Sequence, residues 1–123
     1  MHIVHDPAAP AAPETAFDTF LGVDIRAGTI TDAKPFPEAR QPSYRLTVDC
    51  GPGIGIRKSV ARITEHYTPE SLIGRRVLAV VNFAPRQIGP ARSEILILGL
   101  PDESGAILLV EPDIRAPNGA RLS

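Results

Sequence analysis

Apolar and polar residues alternate along much of this chain with a period of two, the mark of a strand with one buried face. The clearest case is YRLTVDC at 44–50. Tyr44, Leu46, Val48 and Cys50 fall on one side, and Arg45, Thr47 and Asp49 on the other. Val23 to Ala33 reads as a long first strand whose apolar parity changes between Ala27 and Ile30. Gly28 lies at the change, and a bulge there would bend the strand. IGIRKSV at 54–60 reads as a third strand, with its alternation interrupted at Arg57–Lys58. RRVLAVVNF at 75–83 is a fourth, and EILILG and AILLVEP pair as a hairpin across PDESG.

Helix signals are few. TPESLIG, between the third and fourth strands, has Thr68 as a cap, Pro69 at the first helical position and Gly74 at the end. In TAFDTFL, Phe17, Phe20 and Leu21 share one helical face, with Thr15 as the cap and Asp18 in a box-like position. KPFPEARQPS and GPG are turn segments, and Asn118–Gly119 is a further turn. The pattern predicts an all-β fold with short helices. A long first strand that bends to join both halves of a sheet is what a five-stranded barrel of the oligonucleotide-binding (OB) type requires. Residues 1–13, rich in Ala and Pro, read as a flexible tail, and 14–123 as one domain with N- and C-terminal extensions. VLAVV, EILIL and AILLV are apolar on both faces, more than a lone small barrel can cover, so a second copy of the chain is expected against them.

Charge adds a second pattern. The net charge is −1, yet residues 41–92 hold three acids and eight bases, while the flanking segments are each acidic by three. A basic middle segment is either a solvated face or a footprint for an anionic partner. Its candidates are Arg57, Lys58, Arg62, Arg75, Arg76, Arg86 and Arg92. The proline-bracketed PRQIGPARSE sets two of these arginines beside Ser93, as a phosphate cradle would.

Catalytic and metal chemistry find little support. His2, His5 and His66 have no Cys or His at ligand spacing, so no metal is expected. Cys50 reads as a buried structural thiol, and GPGIG precedes a strand, so it is a turn and not a phosphate loop. Asp24, Asp32 and Glu38 flank no partner acid; Glu94 is either an edge residue or a buried hydrogen-bonding acid. Asn82 is expected to tie down the loop that follows it. The chain has one cysteine, no basic leader before an apolar run and no stretch near a membrane span. A cytoplasmic, non-enzymatic binding protein without cofactor is the expectation.

FLGVDIRAGTI, PEARQPSYRLTVDCG, HYTPESLIGRRVLAVVNFAPRQIGPARSEILILG and PNGARL stand in an order and spacing that resembles the tRNA-binding-domain family. FPEARQPSY and NFAPRQIGPARSE resemble its CsaA-type export chaperones in particular. The resemblance implies an OB-fold core, a homodimer and tRNA binding through shape, not sequence. It also implies chaperone activity toward unfolded or export-bound polypeptides, with an apolar peptide pocket on the dimer. The alternative is a tRNA-binding module serving translation or tRNA handling. The family's basic strand-three region corresponds here to Arg57, Lys58 and Arg62, and its loop before the last hairpin to Arg86, Arg92 and Ser93. The wider family has Ser-Glu-Gly-Met where this chain has Ser93-Glu94-Ile95-Leu96.

Overall fold

A computed structural model describes residues 2–123. The elements are α1 (Phe17–Leu21), β1 (Ile25–Pro35), β2 (Tyr44–Asp49), β3 (Ile56–Ala61), α2 (Pro69–Leu72), β4 (Arg76–Val80), β5 (Arg86–Ile88), β6 (Ala91–Ser93), β7 (Leu96–Ile97), β8 (Gly99–Pro101) and β9 (Ile107–Leu109). The main sheet is antiparallel with the order β3-β2-β1-β4-β7. It curls into a nearly closed five-stranded barrel, the OB-fold.

The first strand makes the curl possible. Residues 29–35 pair with β2, while 25–29 pair with β4. The bulge lies at Thr31, between the Ile30↔Val48 and Asp32↔Thr47 pairs, and not at Gly28 as the parity change predicts. Gly28 serves close approach instead. A Cβ there would sit 2.9 Å from Val48 Cγ1 and 3.1 Å from Asp49 O, so only glycine lets the strands pass this closely.

The barrel closes without a ladder between β3 and β7. Glu94 N donates to Lys58 O (2.8 Å) and Lys58 N to Glu94 Oε1 (2.9 Å). Val60 N donates to Ser93 Oγ (3.0 Å), and Ser59 Oγ to Ile95 O (3.0 Å). Ser93 and Glu94 therefore staple β3 to the strand leading into β7; Glu94 accepts a hydrogen bond as one of its two readings has it, but its side chain is 31% exposed and so is not a buried acid.

The core contains Ile30, Leu46, Val48, Cys50, Ile63, Leu72, Val77, Ala79 and Ile97, all fully or nearly fully buried. Each large aliphatic side chain there contributes about 1.5–3 kcal/mol. Cys50 is buried as expected; burial first, then Asp49 beside it, pushes its thiol up. α2 follows its signals, with Thr68 and Ser71 capping one another reciprocally and Gly74 at φ 89°. α1 does not. Ala16 is its N-cap, no side chain caps it, and Thr15 bonds Thr19 instead. Its apolar face stays exposed, Phe17 by 69%.

Two elements depart from the sequence pattern. PRQIGPARSE is a two-stranded ribbon, β5–β6, turning at Gly89–Pro90. EILILG is split: β7 joins the main sheet, while β8 pairs with β9. The C-terminal segment joins the barrel by lying along the second edge of β1, through Ala27 N to Ala120 O (2.9 Å), Gly119 N to Ala27 O (2.8 Å) and Leu122 N to Ile25 O (2.8 Å). Asn82 reaches back and not forward: its side chain accepts from Asp24 N and donates to Gly22 O, both at 2.9 Å. Residues 2–16 contain no helix or strand, and their first residues lie against the β8–β9 hairpin near Leu100 and Pro101.

Candidate nucleic-acid interface

Strand alternation turns Arg45 and Thr47 of β2 outward, opposite Leu46 and Val48. Their register partners on β3 are Val60 and Lys58. On β1, Lys34 pairs with Arg45. These residues form an outer face on β1, β2 and β3. Val60 would be an exposed apolar residue here. It is buried because the β5–β6 ribbon folds down over it, forming a second small cluster with Phe36 and Ala91, flanked by Ala39 and Ile88. That cluster pins the ribbon to the 36–43 loop.

The seated ribbon leaves a groove on each side. One, of about 530 Å³, is lined by Lys34, Arg45, Lys58 and Arg92 together with the carboxylates Asp32 and Glu94. The other, of about 540 Å³, is lined by Arg40, Arg62 and Arg86 together with the carboxylate Glu38, and by Val60, Ile88 and Ala39 as apolar surface. Arg45 stacks over the Phe36 ring at 5.4 Å, which holds its guanidinium out of the core.

The charge pairing of the whole molecule singles out this face. Of thirteen lysines and arginines, six have a carboxylate within 4.0 Å: Arg26, Lys34, Arg57, Arg75, Arg115 and Arg121. Arg76 is spent on the carbonyls of Asp113 and Ile114 and on the Asn118 side chain. Among the described residues this leaves Arg40, Arg45, Lys58, Arg62, Arg86 and Arg92, and every one lines one of the two grooves. Cations without an internal partner, gathered on one face, make its potential locally positive.

The six residues expected from sequence divide. Lys58, Arg62, Arg86 and Arg92 line the grooves. Arg57 alternates with Lys58, so the two do not share a face, and it lies 4.0 Å from Glu94. The Ser93 hydroxyl is engaged by Val60 N and Ile95 O. Sequence reasoning passed over Lys34, Arg40 and Arg45. For Arg45 a signal existed, because it stands on the polar parity of the cleanest strand. Among the described residues no group of three potential metal ligands occurs, and no helix is long and apolar enough to cross a membrane.

The OB barrel characteristically takes oligonucleotides on its second and third strands and adjoining loops, the region where the two grooves lie. The pattern of the tRNA binding domain family matches residues 25–121. The chain belongs to the tRNA binding domain family. Within the family it is CsaA-like. The solved structure of chaperone CsaA from Bacillus anthracis str. Ames is 43% identical, with TM-score 0.84, covering 90% of this chain and 100% of that one. CsaA from Picrophilus torridus is 36% identical, also with TM-score 0.84, covering 89% and 100%. The methionine–tRNA ligase of Flavobacterium johnsoniae is 36% identical over 116 residues, which is 94% of this chain and 16% of the ligase. The family thus includes much longer proteins, and the chain spans about 16% of the length of the curated relatives it matches.

Proposed function

We propose that the chain binds tRNA by shape and charge on the face that the β5–β6 ribbon divides. Lys58, Arg62, Arg86 and Arg92 reach phosphates there, joined by Arg40 and Arg45. Arg57 and Ser93 act beneath them, holding β3 and the ribbon in place. The observation that carries this reading is the confinement of all six unpaired cations to the two grooves. If all six reach phosphates, log affinity falls with log salt with a slope of about −4 to −5. Filter binding of tRNA across a salt series is the test. Lys58→Glu with Arg92→Glu is expected to weaken binding at least tenfold and flatten the slope, whereas unchanged affinity would remove the site from this face.

A second activity is favoured by a separate observation. The chain matches two solved CsaA chaperones over their full length, and it carries outward apolar side chains, Leu100 exposed by 62% and Leu108 by 38%. The reading is a cytoplasmic homodimer of the CsaA type that takes unfolded or export-bound polypeptides on apolar surface. Peptide and RNA then occupy chemically different surfaces of one small protein.

A further inference from the structure

The two grooves beside the ribbon are built for different parts of a nucleic acid. The groove at Lys58 and Arg92 has two carboxylates, Asp32 and Glu94, among its cations. Such a mixed polar lining suits a hydrated backbone track. The groove at Arg62 and Arg86 is more apolar. Its apolar surface is Ile88 and Ala39 beside the buried Val60, three unpaired arginines and the single carboxylate Glu38 line it, and the amide side chains of Gln41 and Gln87 line it as well. Both walls are preformed. The ribbon is held by the cluster of Phe36, Val60 and Ala91, and the 36–43 loop is closed by Phe36 N to Ser43 O (3.2 Å) and Ala39 N to Phe36 O (3.2 Å).

From this we infer that the Arg62–Arg86 groove is a pocket for one unstacked nucleotide of the bound RNA. The arginines hold the phosphates on either side of it. The base lies flat on Ile88 and Ala39, and the amides of Gln41 and Gln87 meet its polar edge. A base in a duplex is stacked on both faces and cannot enter; a bulged or looped-out base can. A cavity of about 540 Å³ lies within the range of small-molecule sites. An apolar floor alone would suit a peptide side chain, and arginines alone would suit a bare phosphate. Their combination matches a nucleotide, which has a planar apolar face and a flanking anion.

The inference rests on the proposed RNA-binding reading, and one experiment separates the two. Two RNA hairpins are compared by fluorescence anisotropy. They share one paired stem, and only one carries a single bulged 2-aminopurine. The bulged RNA is expected to bind about tenfold tighter, the gain expected when one base face is buried on aliphatic side chains, with a change in 2-aminopurine emission. Arg86→Gln and Ile88→Gln should each erase the preference. Lys58→Gln, in the other groove, should weaken both RNAs alike and leave the preference intact. Thermal melting of each variant checks the fold, and the exposed Arg86 carries the test should Ile88→Gln melt early. Equal, salt-sensitive binding of both hairpins would overturn the pocket and leave the RNA face standing. Absence of salt-sensitive binding to either would overturn both. Displacement of the bulged RNA by an apolar peptide that leaves the paired hairpin bound would assign the groove to polypeptide and overturn the inference.

Discussion

Glycines in one turn show how far a single residue's role depends on what lies opposite it. Gly51 and Gly53 stand two residues apart in GPGIG. Gly51 has φ +88°, and a Cβ on it would fall against Asn118 O, with Asn118 C at 2.7 Å; a Cβ on Gly53 would meet nothing within 4 Å. Gly51→Ala therefore combines backbone strain with a collision against the C-terminal segment, and should cost about 2–4 kcal/mol. Gly53→Ala should stay within about 0.5 kcal/mol of the parent. Urea denaturation of the two variants is the comparison, and equal midpoints would contradict it. Arg57 and Lys58 make the same point in charge. They are neighbours with different tasks, because alternation sends one toward Glu94 and the other into a groove.

At the level of elements, the hairpin of β8 and β9 is attached to the barrel through a polar clasp. His66 Nε2 lies 2.6 Å from Asp102 Oδ2. Asp102 also accepts from Ser104 Oγ (2.8 Å) and from the amides of Ser104 (2.9 Å) and Ala106 (3.0 Å). The His66 hydrogen bond first, and the Ser104 hydroxyl next, lower the Asp102 carboxyl from 3.8 to about 2. A depressed folded-state value means that ionised Asp102 stabilises the fold fully above pH 3.8 and progressively less as pH falls toward about 2. Amide protection in the hairpin, taken relative to intrinsic exchange at each pH, should fall across that window in the parent. In Asp102→Asn the hairpin should exchange faster at neutral pH and show a smaller change across the window. Identical profiles would place the hairpin's stability elsewhere. The β5–β6 ribbon is the opposite kind of element, attached by an apolar cluster, and its seat is insensitive to such titration.

For the molecule as a whole, the outstanding feature is apolar surface without cover. Leu100 and Leu108 on the last hairpin and Phe17 on α1 face outward, and patches of this kind are commonly closed by a second chain. Sedimentation equilibrium at micromolar concentration should give twice 13.2 kDa; a clean monomer would remove the homodimer. Peptide binding offers a separate measurement. Apolar burial contributes about 25 cal/mol per Å² before association costs and is little weakened by salt, whereas exposed ionic contacts are screened. A labelled apolar, export-type peptide should stay bound at a salt concentration that releases tRNA. Loss of both ligands in step would mean one electrostatic site and no separate chaperone surface.

What the sequence determined by itself was the local pattern. Alternation in YRLTVDC fixed which side of β2 is buried, the Thr68–Pro69–Gly74 signals fixed α2, and the burial of Cys50 followed from its parity. These are properties of residues two to six positions apart, where strand pleat and capping geometry decide the outcome. Only the tertiary structure decided the rest. The bulge went to Thr31, inside the stretch of β1 that pairs with β2, and Gly28 was needed for clearance from Val48. The turn signals of PRQIGPARSE read as a loop, yet the segment pairs with itself and settles on Val60, a residue twenty-six positions before Arg86. That contact creates both grooves. The basic segment was legible as charge, but its free cations became distinguishable from the engaged ones only once Glu94 and Glu111 were in position beside Arg57 and Arg75, and the Asp113 carbonyl beside Arg76. Ion pairing across the barrel depends on chain segments that folding alone brings together.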